Sequence, residues 1–195
     1  LAMVRNIFEL GRTGTKKFQT TQSLNELTVG IIGMGHIGSR VAGLLQSLGT
    51  KEILYSSRTR KSDVEETTGV KFVSLDELIS KSDVITLHAS KEIGNDFIGK
   101  NEFSKMKTGT IIVNCGFAGG VEKEALLEEL KSGRLRAAQD DPIDERFDSL
   151  PLFVWFNSNS HTAYNTLEAN RRASEMAIKS LLAVLETGKD EFRVN

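Results

Sequence analysis

The sequence predicts a doubly wound parallel α/β sheet of the Rossmann-like class, and three observations carry that expectation. A glycine-rich turn joins a strand-like run to a helix-like run. Short apolar runs then alternate with amphipathic stretches, the pattern of parallel strands linked by crossover helices. The strand-like runs are also apolar through their middles, as strands covered on both faces are.

The turn is Gly33-Met34-Gly35-His36-Ile37-Gly38. Residues 27–32 before it are apolar and β-branched, and 37–48 after it have helical spacing at Ile37, Val41, Leu44, Leu45 and Leu48. In this setting Gly33 permits the tight turn, Gly35 lets backbone approach a pyrophosphate, and Gly38 brings helix close to strand. Unpaired amides near Ile37 then meet the phosphates at the positive end of the helix. His36 would sit beside them and can donate as a neutral imidazole. Three glycines alone are weak evidence; strand, turn and helix in order make the signal specific.

Further strands are expected at 51–56, 69–74, 83–88, 110–114, 135–139 and 152–157. A brief helix opens at 75–80 with Asp76 and Glu77 in its first turn. Another spans 120–133, apolar at Leu126, Leu127 and Leu130 and closed by Gly133. Residues 166–188 form a long amphipathic helix with Ala173, Met176, Ala177, Leu181 and Leu185 on one side, and 1–11 a short one. The expected organisation is an interdomain helix and linker at 1–24 and a dinucleotide-binding domain at 25–165. A C-terminal helix at 166–195 would pack on a lid domain or a second subunit.

With 195 residues, 39% hydrophobic, and a formal net charge of −1, the composition is globular and leaves no nucleic-acid or polybasic membrane footprint. No apolar run reaches the length of a membrane span. The lone Cys115 excludes an internal disulfide and fits a reducing cytoplasm. His36, His88 and His161 are dispersed, so no metal set is expected. The chain opens on Leu1, and a longer parent is expected.

About twenty residues past the last glycine, NAD-binding units place a carboxylate on the ribose 2′-hydroxyl. Here residues 55–61 read YSSRTRK, without one. Ser57 and Thr59 can donate to a 2′-phosphate, and Arg58 or Arg60 can clamp it. NADP(H) is therefore expected ahead of NAD(H).

The stretches LAMVR, TVGIIGMGHIGSRVA, LYSSRTRK, FVSLDELISKSDVITLH, KMKTGTIIVN, ALLEELKSGRL and SNSHTAYNT, in this order, resemble the D-isomer-specific 2-hydroxyacid dehydrogenases. The glyoxylate/hydroxypyruvate reductase-like members are the nearer resemblance. It covers the cofactor domain and its two interdomain helices, and the family's substrate-binding lid domain is absent from this chain. It implies a hydride-transferring oxidoreductase, a small-molecule substrate and a homodimer. By this resemblance His161, in a Ser-His-Thr-Ala run ending at Ala163, is the catalytic acid/base. Glu145 is its carboxylate partner, with Asp144 the near alternative. Asp140 bonds the nicotinamide carboxamide, and His88 and Ala89 lie beside the cofactor, although the family's proline there is Ser90. Cys115, Gly116 and Phe117 face the cofactor at the next strand end. No motif supports a nucleophilic role for Cys115.

One residue departs from the pattern. The family's substrate-binding arginine follows the fifth strand, where this chain has Phe117 in NCGFAGG. A charge-assisted hydrogen bond is worth about 1.5–3 kcal/mol, so its loss should cost a 2-oxo acid reductase on the order of 10²-fold in rate. Three readings follow: a substrate without a carboxylate, a replacement group in the lid, or a catalytically impaired nucleotide-binding module.

Overall fold

The computed structural model describes residues 1–7, 21–140, 145–147, 150, 153–155 and 166–189. Its strands are β1 (Thr28–Ile32), β2 (Glu52–Ser56), β3 (Lys71–Phe72), β4 (Val84–Leu87), β5 (Ile111–Asn114), β6 (Arg136–Gln139) and β7 (Phe153–Trp155). They form one parallel sheet in the order β3-β2-β1-β4-β5-β6-β7. The chain winds outward from β1 to β3, then restarts on the other side of β1 with β4. Such a reversal is the place where doubly wound sheets bind ligands, in a crevice at the carboxyl ends of the strands.

The helices are α1 (His36–Ser47), α2 (Ser62–Thr68), α3 (Leu75–Lys81), α4 (Lys100–Lys105), α5 (Lys123–Lys131) and α6 (Leu167–Thr187). Strand alternation divides the apolar side chains into two layers. Ile32, Leu54, Ile85, Leu87 and Ile112 pack with Leu78 and Ile79 of α3, Phe103 of α4 and the leucines of α5. On the opposite face Ile31, Ile53 and Tyr55 meet Ala42 of α1, while Val29, Val84 and Ile111 meet Met3 and Val4. Gly30 lets α3 seat directly on β1, because a Cβ there would lie 2.6 Å from Leu78 Cδ2.

Several boundaries differ from expectation. Neither α2 nor α4 has a repeating apolar stripe. In α2 only Val64 packs inward, and in α4 Phe103 is the one buried residue. β3 keeps only two residues of the expected 69–74 run. Ala118–Gly120 forms a 3-10 turn, so α5 begins at Lys123, later than expected. Near the start, Arg5 N–H reaches Leu1 O at 3.0 Å, but Asn6 takes φ 53° and ends the turn. Arg136 ties this segment to β6 by donating to Met3 O at 2.6 Å. Residues 8–11 of the expected helix lie outside the described residues.

Leu1–Phe156 and Asn157–Asn195 are separate compact units. Within the second, α6 is capped by Thr166, whose hydroxyl accepts from Ala169 N at 3.1 Å, and closes on Gly188 at φ 68°. Met176, Leu181 and Leu185 are exposed along it. No described helix is long and apolar enough to cross a membrane.

Candidate functional site: a dinucleotide cleft at the carboxyl ends of the strands

Ser56, Ile32, Leu87, Asn114 and Gln139 are register partners across β2, β1, β4, β5 and β6. The residues that follow them, Ser57, Gly33, His88, Cys115 and Asp140, therefore line one edge of the sheet. Positions far apart in sequence, expected separately to touch a cofactor, form a single row across the crevice.

At its centre Gly33 has φ 94°, a backbone conformation that disfavours side chains, and donates to Ser56 O at 2.9 Å. A Cβ on Gly33 would lie 2.9 Å from Ala89 N, and one on Gly116 would lie 2.6 Å from Ala89 O. Ala89 backbone is thus wedged between two glycines, which locks the ends of β1, β4 and β5 together. A Cβ on Gly38 would approach Gly33 O to 2.1 Å, so α1 sits directly on the turn. Gly35 is different: among the described residues, chain neighbours apart, nothing stands within 4 Å of its Cβ position. It caps α1 without a side-chain acceptor, and the first turn of α1 holds no acidic residue. His36 and Ile37 are exposed beside it. Open space at a helix start with unpaired amides suits a diphosphate.

The loop after β2 is organised by α2. Tyr55 Oη donates to Glu65 Oε1 at 2.6 Å and accepts from Lys61 N–H at 2.7 Å. Arg60 grips the same carboxylate through Nε at 2.9 Å and Nη2 at 2.7 Å. Arg60 is thereby paired within its own loop and helix. Ser57 Oγ donates to Thr59 O at 2.7 Å and shapes the loop tip. Arg58 has only a 3.9 Å pairing with Glu92, with side chains 86% and 70% exposed. Such a pair is weak, so Arg58 is held more loosely than Arg60.

The Arg60 guanidinium first, and the Tyr55 hydroxyl second, hold the Glu65 carboxyl down at about 2. Its folded value lies below its unfolded one, so its stabilisation is full above pH of about 4.5 and fades as pH falls toward about 2. Glu65→Gln is expected to lower Tm at pH 7 and to converge with wild type as the pH falls toward 2. Thermal melts across that range check this; a constant gap would refute it.

Beyond β4, His88 Nε2 lies 3.0 Å from Thr86 Oγ1, and burial pushes its pKa below the ordinary imidazole value. Beyond β5, Asn114 Oδ1 accepts from Gly116 N at 3.0 Å and Asn114 Nδ2 donates to Phe117 O at 3.3 Å. This buried asparagine shapes the turn, a role that sequence reasoning missed although its polarity at the end of an apolar strand was a signal. The Phe117 ring lies over Gly119, where a Cβ would be 2.6 Å from its Cζ. Cys115 is exposed as a residue, yet its thiol is partly withdrawn from water; that desolvation first, and the Asp140 charge second, raise its pKa, so it remains neutral. Asp140 donates its N–H to Asn114 O at 2.9 Å, while its Oδ1 is buried without a partner. That orphaned acceptor fits the amide of a nicotinamide.

Glu145 is exposed in the single turn Glu145–Phe147. Phe147 anchors the turn at 5.0 Å from the Phe153 ring centroid, and Arg146 pairs with Glu124 at 2.7 Å. His161, Ala163 and Asp144 lie outside the described residues.

Residues 1–160 match the family model described as D-isomer specific 2-hydroxyacid dehydrogenase, NAD binding domain. The chain belongs to this family. The glyoxylate reductase of Aeropyrum pernix is 35% identical over 161 residues, which are 80% of this chain and 48% of that protein. The D-3-phosphoglycerate dehydrogenase of Archaeoglobus fulgidus is 38% identical over 166 residues, 82% of this chain and 31% of the relative. In fold, the D-lactate dehydrogenase of Lactobacillus jensenii, crystallised with NAD+, superposes with a TM-score of 0.85 at 23% identity, over 100% of this chain and 65% of that one. The chain spans about half the length of the Aeropyrum relative, and less of the Archaeoglobus one. The sheet is thus the family's nicotinamide-cofactor domain.

Proposed function

We propose that this chain binds NADP(H), with NAD(H) as a weaker ligand. Its parent protein would transfer hydride between that coenzyme and a small 2-hydroxy or 2-oxo acid, or a related carbonyl compound. The supporting observation is the row of Ser57, Gly33, His88, Cys115 and Asp140 below the open helix start at Gly35. The α1 amides hold the diphosphate, Ser57, Arg58 and Thr59 surround the 2′-phosphate, and Asp140 accepts from the carboxamide. The nicotinamide ring, when bound, supplies or takes up the hydride. His161 gives the proton to the carbonyl oxygen during reduction and recovers it in the reverse direction. Glu145 keeps that imidazole oriented and charged. Residues 25–165 are the dinucleotide domain, and 1–24 and 166–195 flank a lid domain or a second subunit. The family resemblance supports a homodimer, and the lone thiol a reducing cytoplasm.

A second reading, a catalytically impaired nucleotide-binding module, is favoured by Phe117, whose ring cannot pair with a carboxylate. NADPH oxidation by the full-length parent decides between the two, with glyoxylate, hydroxypyruvate, pyruvate and simple aldehydes as substrates. Turnover that disappears in His161→Ala supports the dehydrogenase; NADPH binding with silence across the panel supports the module. Arg58→Ala is expected to weaken NADPH about tenfold, the scale of one charge-assisted contact, and NADH less than twofold. Equal affinities of the wild type for both coenzymes would sink the phosphate assignment.

A further inference from the structure

Resting on that coenzyme reading, we propose that His88 is a second anchor for the nicotinamide carboxamide. Its Nδ1–H donates to the amide oxygen while Asp140 accepts from the amide nitrogen. Among the described residues, the buried side-chain polar atoms without a partner are His88 Nδ1 and Asp140 Oδ1. An unpaired buried polar atom is costly, so each calls for a ligand or water. Both stand on the crevice row, at the ends of β4 and β6.

Strand alternation also puts them on one face. Thr86, Val113 and Ala138 are register partners, and two residues further along each strand stand His88, Cys115 and Asp140. Two strand spacings amount to about 9.6 Å. A primary amide with a hydrogen bond at each end spans about 8 Å. The two lengths agree to within about 2 Å, so a carboxamide between these strand ends would have the scale to engage both side chains.

The donor and acceptor pattern agrees. Thr86 is buried, and its hydroxyl faces His88 Nε2 at 3.0 Å. When that hydroxyl donates, the ring proton resides on Nδ1, which becomes the donor. Burial keeps the imidazole neutral, so it presents one donor and no charge to the ring. The Asp140 carboxylate only accepts. An amide offers one oxygen and one NH2, the complement of this pair.

Calorimetry on the full chain with three ligands tests the assignment. These are NADP+, its 3-acetylpyridine analogue, which keeps the oxygen but has a methyl for the amide nitrogen, and 2′-phospho-ADP-ribose, which has no nicotinamide. His88→Leu is expected to weaken NADP+ and the analogue alike, each roughly 5- to 10-fold, and phospho-ADP-ribose less than twofold. Asp140→Ala should weaken NADP+ but not the analogue. His88→Asn, whose amide stands near the Nδ1 position, should recover most of the lost NADP+ affinity. The proposal is overturned alone if His88→Leu leaves NADP+ binding unchanged, or weakens phospho-ADP-ribose as much as NADP+. If the wild type binds none of the three, the coenzyme reading itself falls.

Discussion

Gly38→Ala is expected to weaken dinucleotide binding severely and to destabilise the fold together. The new methyl would stand 2.1 Å from Gly33 O, a backbone atom fixed by the bond from Gly33 N to Ser56 O. Neither side can yield by a side-chain rotation, so α1 must lift from the turn. Overpacking of this kind costs about 1–3 kcal/mol, or roughly 3–10 °C in Tm for a domain of this size. Lifting α1 also carries its first amides away from the diphosphate position, and the expected loss in affinity is on the order of 10²-fold or more. Gly35→Ala is the control, because among the described residues, chain neighbours apart, no atom lies within 4 Å of its Cβ position. Its Tm should hold while its dinucleotide affinity falls, since only a bound ligand would meet that methyl. Scanning calorimetry with ligand titrations separates the two variants. A Gly35→Ala protein that binds normally would show that the diphosphate lies elsewhere.

The contrast between these glycines also shows what the sequence makes legible. Gly33, Gly35 and Gly38 announce the turn because their spacing is dictated by geometry, and the strands announce themselves by apolar runs. The helices α2 and α4 do not, because each is tethered by a single inward side chain, Val64 or Phe103. That omission hid the partner of Arg60. Without an apolar stripe to mark α2, nothing in the sequence sets Glu65 beside the basic loop, and Arg58 and Arg60 read as equivalent. The structure separates them by one carboxylate. The row of strand ends is likewise invisible to local pattern, because it follows from strand order and register. His88 is a lone imidazole in sequence; its Thr86 contact and orphaned Nδ1 emerge only when β4 is placed between β1 and β5.

Phe117→Arg carries the other large expected effect, and it bears on whether the site reduces 2-oxo acids. The backbone at Phe117 is held independently of its ring: its N–H donates to Ala89 O at 3.0 Å, and its carbonyl accepts from Gly120 N at 3.0 Å and Asn114 Nδ2 at 3.3 Å. Its φ of −69° and ψ of 117° suit any residue. The turn should therefore survive the exchange, with the ring contact over Gly119 given up and a guanidinium set at the edge of the row. A bidentate arginine on a substrate carboxylate acts both by binding and by stabilising charge at the reacting carbonyl. In the full-length parent, glyoxylate and pyruvate reduction should rise by about 10²-fold, while simple aldehydes, lacking a carboxylate, gain nothing. Steady-state rates for the two substrate classes measure this directly. A rise confined to the carboxylates would mean that this cation is what a 2-oxo acid site lacks. Unchanged glyoxylate rates in a protein that still reduces aldehydes would mean that the carboxylate, when present, is held by a group outside this turn.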